Sequence, residues 1–168
     1  MRYESFRWLA SVIGAHPENK VVGRTRLQKT IWLLQRLGLK TDYTYRTHFY
    51  GPYSEDLHAE LGLLERFGMV SEEPKEKRDG TPYFIIHAKD TEHLPELPDK
   101  LGKALRVISG TKDPVVLELA ATYDAFRSQG SDHTEALERL RRKKGKKCEG
   151  DREEKALTLL AQLGLDAS

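Results

Sequence analysis

Two short stretches hold the residue types from which chemistry could be built. GRTRLQKTIWLLQRLGL places Arg24, Arg26, Gln28 and Lys29 within six residues, and HFYGPYSEDL places Tyr50, Gly51, Pro52 and Tyr53 just before an acidic segment. Cations near a helix start are disfavoured by the helix dipole, so Arg24 and Arg26 suggest a job other than local stability, namely holding an anion such as a phosphate or a partner's carboxylate. The alternative is a solvated face with ion pairs to Glu55, Asp56 or Glu60. In Gly51-Pro52 the proline restricts its predecessor and the glycine tolerates dihedrals closed to other residues, which fixes a stiff bend. Phe49, Tyr50 and Tyr53 then either pack the bend onto the helix carrying Leu27 or stack on a partner.

A third group is the basic run RLRRKKGKK, where Arg139, Arg141, Arg142, Lys143, Lys144, Lys146 and Lys147 could neutralise phosphates. Lys75, Lys77 and Arg78 form a smaller group, offset by Glu72, Glu73 and Glu76. Against a nucleic-acid reading stands the segment from Ser54 to Gly68, whose Glu55, Asp56, Glu60 and Glu65 outnumber Arg66. A helix that reads base edges carries donors near its N-terminus, whereas this one starts with two acids.

Catalytic patterns are not found. The sequence has no glycine-rich phosphate loop, no His-Glu-x-x-His and no serine elbow, and its histidines at 16, 48, 58, 87, 93 and 133 lack the close spacing of a local metal site. No enzyme activity, metal or cofactor is expected. The lone Cys148 sits among charges in KKCEGD and reads as an exposed free thiol.

The elements that must position these residues follow from apolar spacing. Tyr3, Phe6, Ala10 and Ile13 predict a first helix; Leu27, Ile31, Leu34 and Leu37 a second, with Lys29 off its apolar stripe; Leu57, Leu61, Leu64 and Phe67 a third, capped by Ser54. The Tyr- and Thr-rich residues 42–50 suit a strand ended by Gly-Pro, and 69–73 with 82–88 suit a hairpin turning at Asp79-Gly80. After HLPELP four more helices are expected, with Ser131 capping the third of them and Gly145 breaking the basic run. The fold class is α+β, mainly helical. Helix, helix, strand, helix, hairpin is the order of a winged helix, so residues 1–95 are expected to form a winged-helix-like domain with a small antiparallel hairpin, and 96–168 a helical extension packed on it.

The 168 residues allow one domain or a domain with an appendage, and 38% apolar with 32% charged residues marks a globular chain. The net charge of +2 does not by itself indicate a nucleic-acid partner. No run approaches the length of a membrane span, and MRYESFRWLA has charges where a leader would be apolar, so a cytoplasmic location and no membrane partner are expected.

GRTRLQKTIWLLQRLG, HFYGPYSEDL and LLERFGMV together resemble the Panacea (SocA-like) antitoxin domain and the related uncharacterised proteins of the YwgA type. The shared features are Leu27-Gln28-Lys29 on the second helix and Tyr50-Gly51-Pro52 before the third. ELAATYDAFRSQG and EALERLRRKKGKK are similar to the helical tail of the YwgA group. The resemblance implies a compact helical domain with a small sheet and a role as antitoxin or regulator that acts by binding. A protein partner, such as a toxin, is therefore expected at Arg24, Arg26, Gln28, Lys29, Tyr50, Gly51, Pro52 and Tyr53. The alternative is a DNA-binding regulator using the second helix, the hairpin and the basic run. Leu157, Leu160 and Leu163 offer a stripe for a homodimer or for packing within the monomer.

Overall fold

A computed structural model describes residues 2–48 and 50–165, excluding the side chains of residues 2, 3 and 48. Phe49, one of the aromatics expected at the bend, lies outside the described residues. The chain runs α1 (Arg2–Ala15), β1 (Lys20–Val22), α2 (Arg24–Arg36), β2 (Arg46–His48), β3 (Gly51–Tyr53), α3 (Glu55–Arg66), β4 (Val70–Glu76), β5 (Pro82–Ala88), α4 (Asp99–Gly110), α5 (Pro114–Ser128), α6 (His133–Lys144) and α7 (Arg152–Gln162), with single 3-10 turns at Pro17–Asn19 and Gly145–Cys148. It is an α+β fold, mostly helical, with a small antiparallel sheet in the order β1-β5-β4.

The leucine spacing translates directly into the core. Leu27, Ile31 and Leu34 of α2 and Leu57, Leu61 and Leu64 of α3 are all at most 2% exposed, and they join Leu9, Val12 and Ile13 of α1 in one cluster. The same cluster takes in Ile108 of α4, Leu119 and Tyr123 of α5, Leu140 of α6 and Leu160 of α7, so a continuous apolar interior underlies both the sheet-bearing part and the C-terminal helices. Helix α5 is the central one, buried at every residue from Val116 to Phe126. It packs on α2, β3, α6 and α7.

Three local readings need correction. The expected strand over 42–50 is instead a buried irregular stretch holding Thr41 and Tyr43, followed by a two-stranded hairpin in which Gly-Pro starts the second strand, with Arg46 opposite Tyr53 and His48 opposite Gly51. Pro52, opposite Thr47, is tolerated there because β3 is the outer strand of a two-stranded pair, where its missing N–H can face away from the ladder. Strand β1 was not anticipated: three residues are too few to show a period, and their pairing with β5, Val21 opposite Ile86, decides the conformation. Asp132, not Ser131, caps α6 by accepting from the Glu135 amide at 2.9 Å, while buried Ser131 accepts from Arg139 Nη1 at 2.8 Å. Ser54 does cap α3, accepting from the Leu57 amide at 3.2 Å.

The bend is fixed by contact as well as by dihedrals. Gly51 has φ of +101°, and a Cβ built on it would lie 2.5 Å from Thr122 Oγ1 of α5 and 3.4 Å from Lys29 Cε of α2. Thr122 cannot simply rotate away, because its hydroxyl donates to the Glu118 carbonyl at 2.8 Å. Gly51→Ala should therefore destabilise the fold by about 3 kcal/mol in urea titration, combining backbone strain with overpacking. Adding Thr122→Ala should recover only the steric part, leaving the strain.

Candidate functional site

The site is assembled around the bend by α2 from below and α5 and α6 from behind. Gln28 was expected to face a partner, but it is 3% exposed, and its amide reads the backbone of Ser54 in both directions: Nε2 donates to the carbonyl and Oε1 accepts from the N–H, each at 2.9 Å. Lys29 departs furthest from the sequence reading. It is 2% exposed, although the stripe logic places it outside, and its Nζ donates to the Pro52 carbonyl at 3.0 Å. Both residues hold the bend from inside.

Lys29 is buried because α5 and β3 pack on the side of α2 that amphipathic spacing assigns to solvent. Helix α5 and the C-terminal end of α6 bring further charges. Glu118 of α5, itself buried, accepts from Lys144 Nζ at 3.1 Å and from Lys147 Nζ at 2.9 Å, and Lys147 lies 5.0 Å from the centre of the Tyr50 ring. Burial drives the Lys29 ammonium down from 10.5 to about 8; Glu118 opposes that shift and Lys144 adds to it. Burial also lowers the pKa of Lys144. Two ammonium groups thus bond one buried carboxylate, which a third, that of Lys29, feels at longer range.

The other expected partner residues have different duties. Arg26 donates through Nη2 to the Thr111 carbonyl at 2.7 Å and so caps the C-terminal end of α4. Arg24 pairs with Glu72 at 2.6 Å and stacks over Phe84 at 3.8 Å, both residues of the β4–β5 hairpin. Neither pairs with Glu55, Asp56 or Glu60. Arg46 takes Glu55, and Glu60 is buried and accepts from the Tyr43 hydroxyl, so one of the four acids expected on the outside of α3 faces inward.

A cleft of about 250 Å³ opens between α2 and α3. Leu27, Leu57 and Leu61 form its apolar part; Arg24, Lys29 and His58 supply cations or a titratable ring; and Tyr50 and Tyr53 close one end. Tyr50 remains 50% exposed, and on α3 Leu63 and Phe67 are also exposed, at 39% and 70%.

The basic run divides. Arg139 stacks 4.0 Å over Phe126, Arg141 makes two hydrogen bonds to Glu153 at 2.9 and 2.6 Å, and Lys144 and Lys147 bind Glu118, whereas Arg142, Lys143 and Lys146 are exposed. Gly145 ends α6 with φ of +53°, as expected, but the 3-10 turn that follows is pinned by Lys147. Lys77 and Arg78 are exposed at the hairpin tip, and Lys75 pairs with Glu73 at 3.2 Å. Cys148 is half-buried against the core, and burial raises its pKa. Of the last helix's stripe, Leu160 and Leu163 are buried and Leu157 is half-buried against the monomer's own core. Among the described residues no three His, Cys, Asp or Glu side chains are grouped to hold a metal, and no helix is long and apolar enough to cross a membrane.

No family model matches the chain. A stretch of 73 residues is 37% identical to the uncharacterised protein YwgA of Bacillus subtilis (strain 168), covering 44% of this chain and 42% of that protein. The chain is therefore similar to a YwgA-type protein over part of its length, and the match spans less than half of either.

Lys29 makes stability depend on pH in a defined direction. An unfolded lysine titrates near 10.4 and this one near 8, so between those values the unfolded chain holds more protons and the fold gains stability as pH rises. Urea midpoints should climb from about pH 8 to about pH 10, and Lys29→Met should flatten most of that climb, with Lys144 supplying the remainder.

Proposed function

We propose that this chain is a noncatalytic, antitoxin-like regulatory protein that acts by gripping another protein, in the manner the Panacea resemblance implies, and that residues 1–95 form a winged-helix-like unit. The element order and the antiparallel β1-β5-β4 sheet support the winged-helix reading. The observation that carries the binding role is the braced bend: Gln28 and Lys29 hold Ser54 and Pro52 from within while Tyr50 stands half in solvent beside a cleft. Such a support presents a rigid aromatic at little entropic cost on binding, which is what a protein-recognition anchor requires.

A protein partner fits better than DNA. In the usual winged helix the third helix enters the groove, but here its first turn holds Glu55 and Asp56, and Leu63 and, just past its end, Phe67 are exposed large apolar side chains. Much of the second helix lies beneath α4 and α5, which leaves a smaller part of it to face a duplex. The exposed Arg142, Lys143 and Lys146, with Lys77 and Arg78, favour the second reading, a regulator whose tail and hairpin contact phosphates.

Coexpression with an adjacent toxic reading frame should restore growth, and Tyr50→Ala should abolish rescue and co-purification while leaving the melting temperature within a degree or two, since half of that ring is already in water. Rescue that survives Tyr50→Ala would remove the bend from the interface. In gel shifts the DNA reading demands an affinity that falls steeply with salt and weakens further in Arg142→Ala/Lys143→Ala; absence of a shift at low salt eliminates it.

A further inference from the structure

Lys29 is buried at the wall of the cleft and, among the described residues, makes no ion pair of its own: Glu118, which pairs with Lys144 and Lys147, acts on it only at longer range. Arg24, on the same wall, pairs through its Nε with Glu72. Among the described residues no Asp or Glu lines the cleft, in a chain that has 26 acids. Meanwhile its leucines offer hydrocarbon and its volume of about 250 Å³ suits one side chain or a small organic molecule.

We propose that this cleft binds a carboxylate carried on an apolar body, an aryl or branched alkyl acid, with the hydrocarbon on Leu27, Leu57 and Leu61 and the charge toward Lys29 and Arg24. The ligand would supply a carboxylate directly to Lys29, whose partner is otherwise the Pro52 carbonyl. Lys29 has the capacity: an ammonium has three protons to donate, and its bond to the Pro52 carbonyl uses one. Arg24 is oriented in advance by Glu72 and Phe84, so a guanidinium edge is positioned without loss of freedom on binding. Tyr50 and Tyr53 can lie against an aryl ring. A carboxylate is favoured over phosphate because a dianion is harder to desolvate against three leucines and asks for more donors than this wall presents.

The group could arrive as a free acid or as the C-terminal residue of a peptide, and the two share this chemistry. The site does not depend on the antitoxin reading, since a small-molecule acid can bind whether or not a protein partner exists.

The full chain should be titrated by NMR with 3-phenylpropionate, its neutral amide, inorganic phosphate, and a short peptide ending in phenylalanine with a free or an amidated terminus. The acid is expected to shift Leu27, Lys29, Leu57 and Leu61 and to bind at least about tenfold more tightly than the amide or phosphate. Thr25→Trp, at an exposed lining position, should abolish the shifts without touching the core. Lys29→Met should erase the preference of acid over amide; if that variant does not fold, the Thr25→Trp result and the acid–amide comparison decide alone. Unshifted spectra at millimolar acid, equal binding of amide or phosphate, or shifts that persist in Thr25→Trp would each overturn the proposal. Tighter binding of the free-terminus peptide than of the acid identifies a chain terminus as the source, and the reverse identifies a small molecule.

Discussion

Glu118 is the charge on which the arrangement depends. A single buried carboxylate on the central helix receives Lys144 from the end of α6 and Lys147 from the 3-10 turn beyond it, and acts at longer range on Lys29 of α2. An ammonium left inside without it would carry a desolvation penalty with little return, and breaking such a pair from one side costs far more than the pair contributes net. Because Glu118 and Thr122 are one turn apart on α5, the helix that gathers the lysines also presses on Gly51. The C-terminal helices therefore act on the geometry of the bend, and through Ser54 on the start of α3.

That coupling explains a division of labour which the family-like motifs alone do not reveal. Leu27-Gln28-Lys29 and Tyr50-Gly51-Pro52 form one internal joint: the glutamine fixes Ser54, the lysine fixes Pro52, and the glycine admits Thr122. Of the residues expected at a partner surface, Tyr50 is the one that clearly faces solvent, while Arg24 and Arg26 tie α2 to the β4–β5 hairpin and to α4. The spacing of the two motifs is explained structurally before any ligand is invoked.

The helices were readable because each buries leucines at intervals the backbone dictates, and Gly38, Gly68, Gly130 and Gly164 stand just past their ends. The Ser54 cap and the β4–β5 pair also followed from local chemistry. What escaped was set by distant chain. Lys29 is polar at a position that α2 alone would expose, and only the docking of β3 and α5 encloses it; Glu60 turns inward, where Tyr43, in a stretch without regular structure, offers its hydroxyl. The basic run reads as a set of cations open to phosphates because its counter-charges, Glu118 and Glu153, lie elsewhere in the sequence. A cleft between two helices leaves no mark on either helix's own periodicity.

Trp32 gives the molecule an optical gauge. The chain has two tryptophans, Trp8 on α1 and Trp32 on α2, and the indole N–H of Trp32 donates at 3.0 Å to Asp124, buried on α5 and also held by Arg36 at 2.9 Å. Its ring meets Tyr45 edge-on at 5.0 Å. Because the carboxylate of Asp124 belongs to α5, separation of the C-terminal helices from α2 would change the electrostatic surroundings of that indole and hence the colour of its emission.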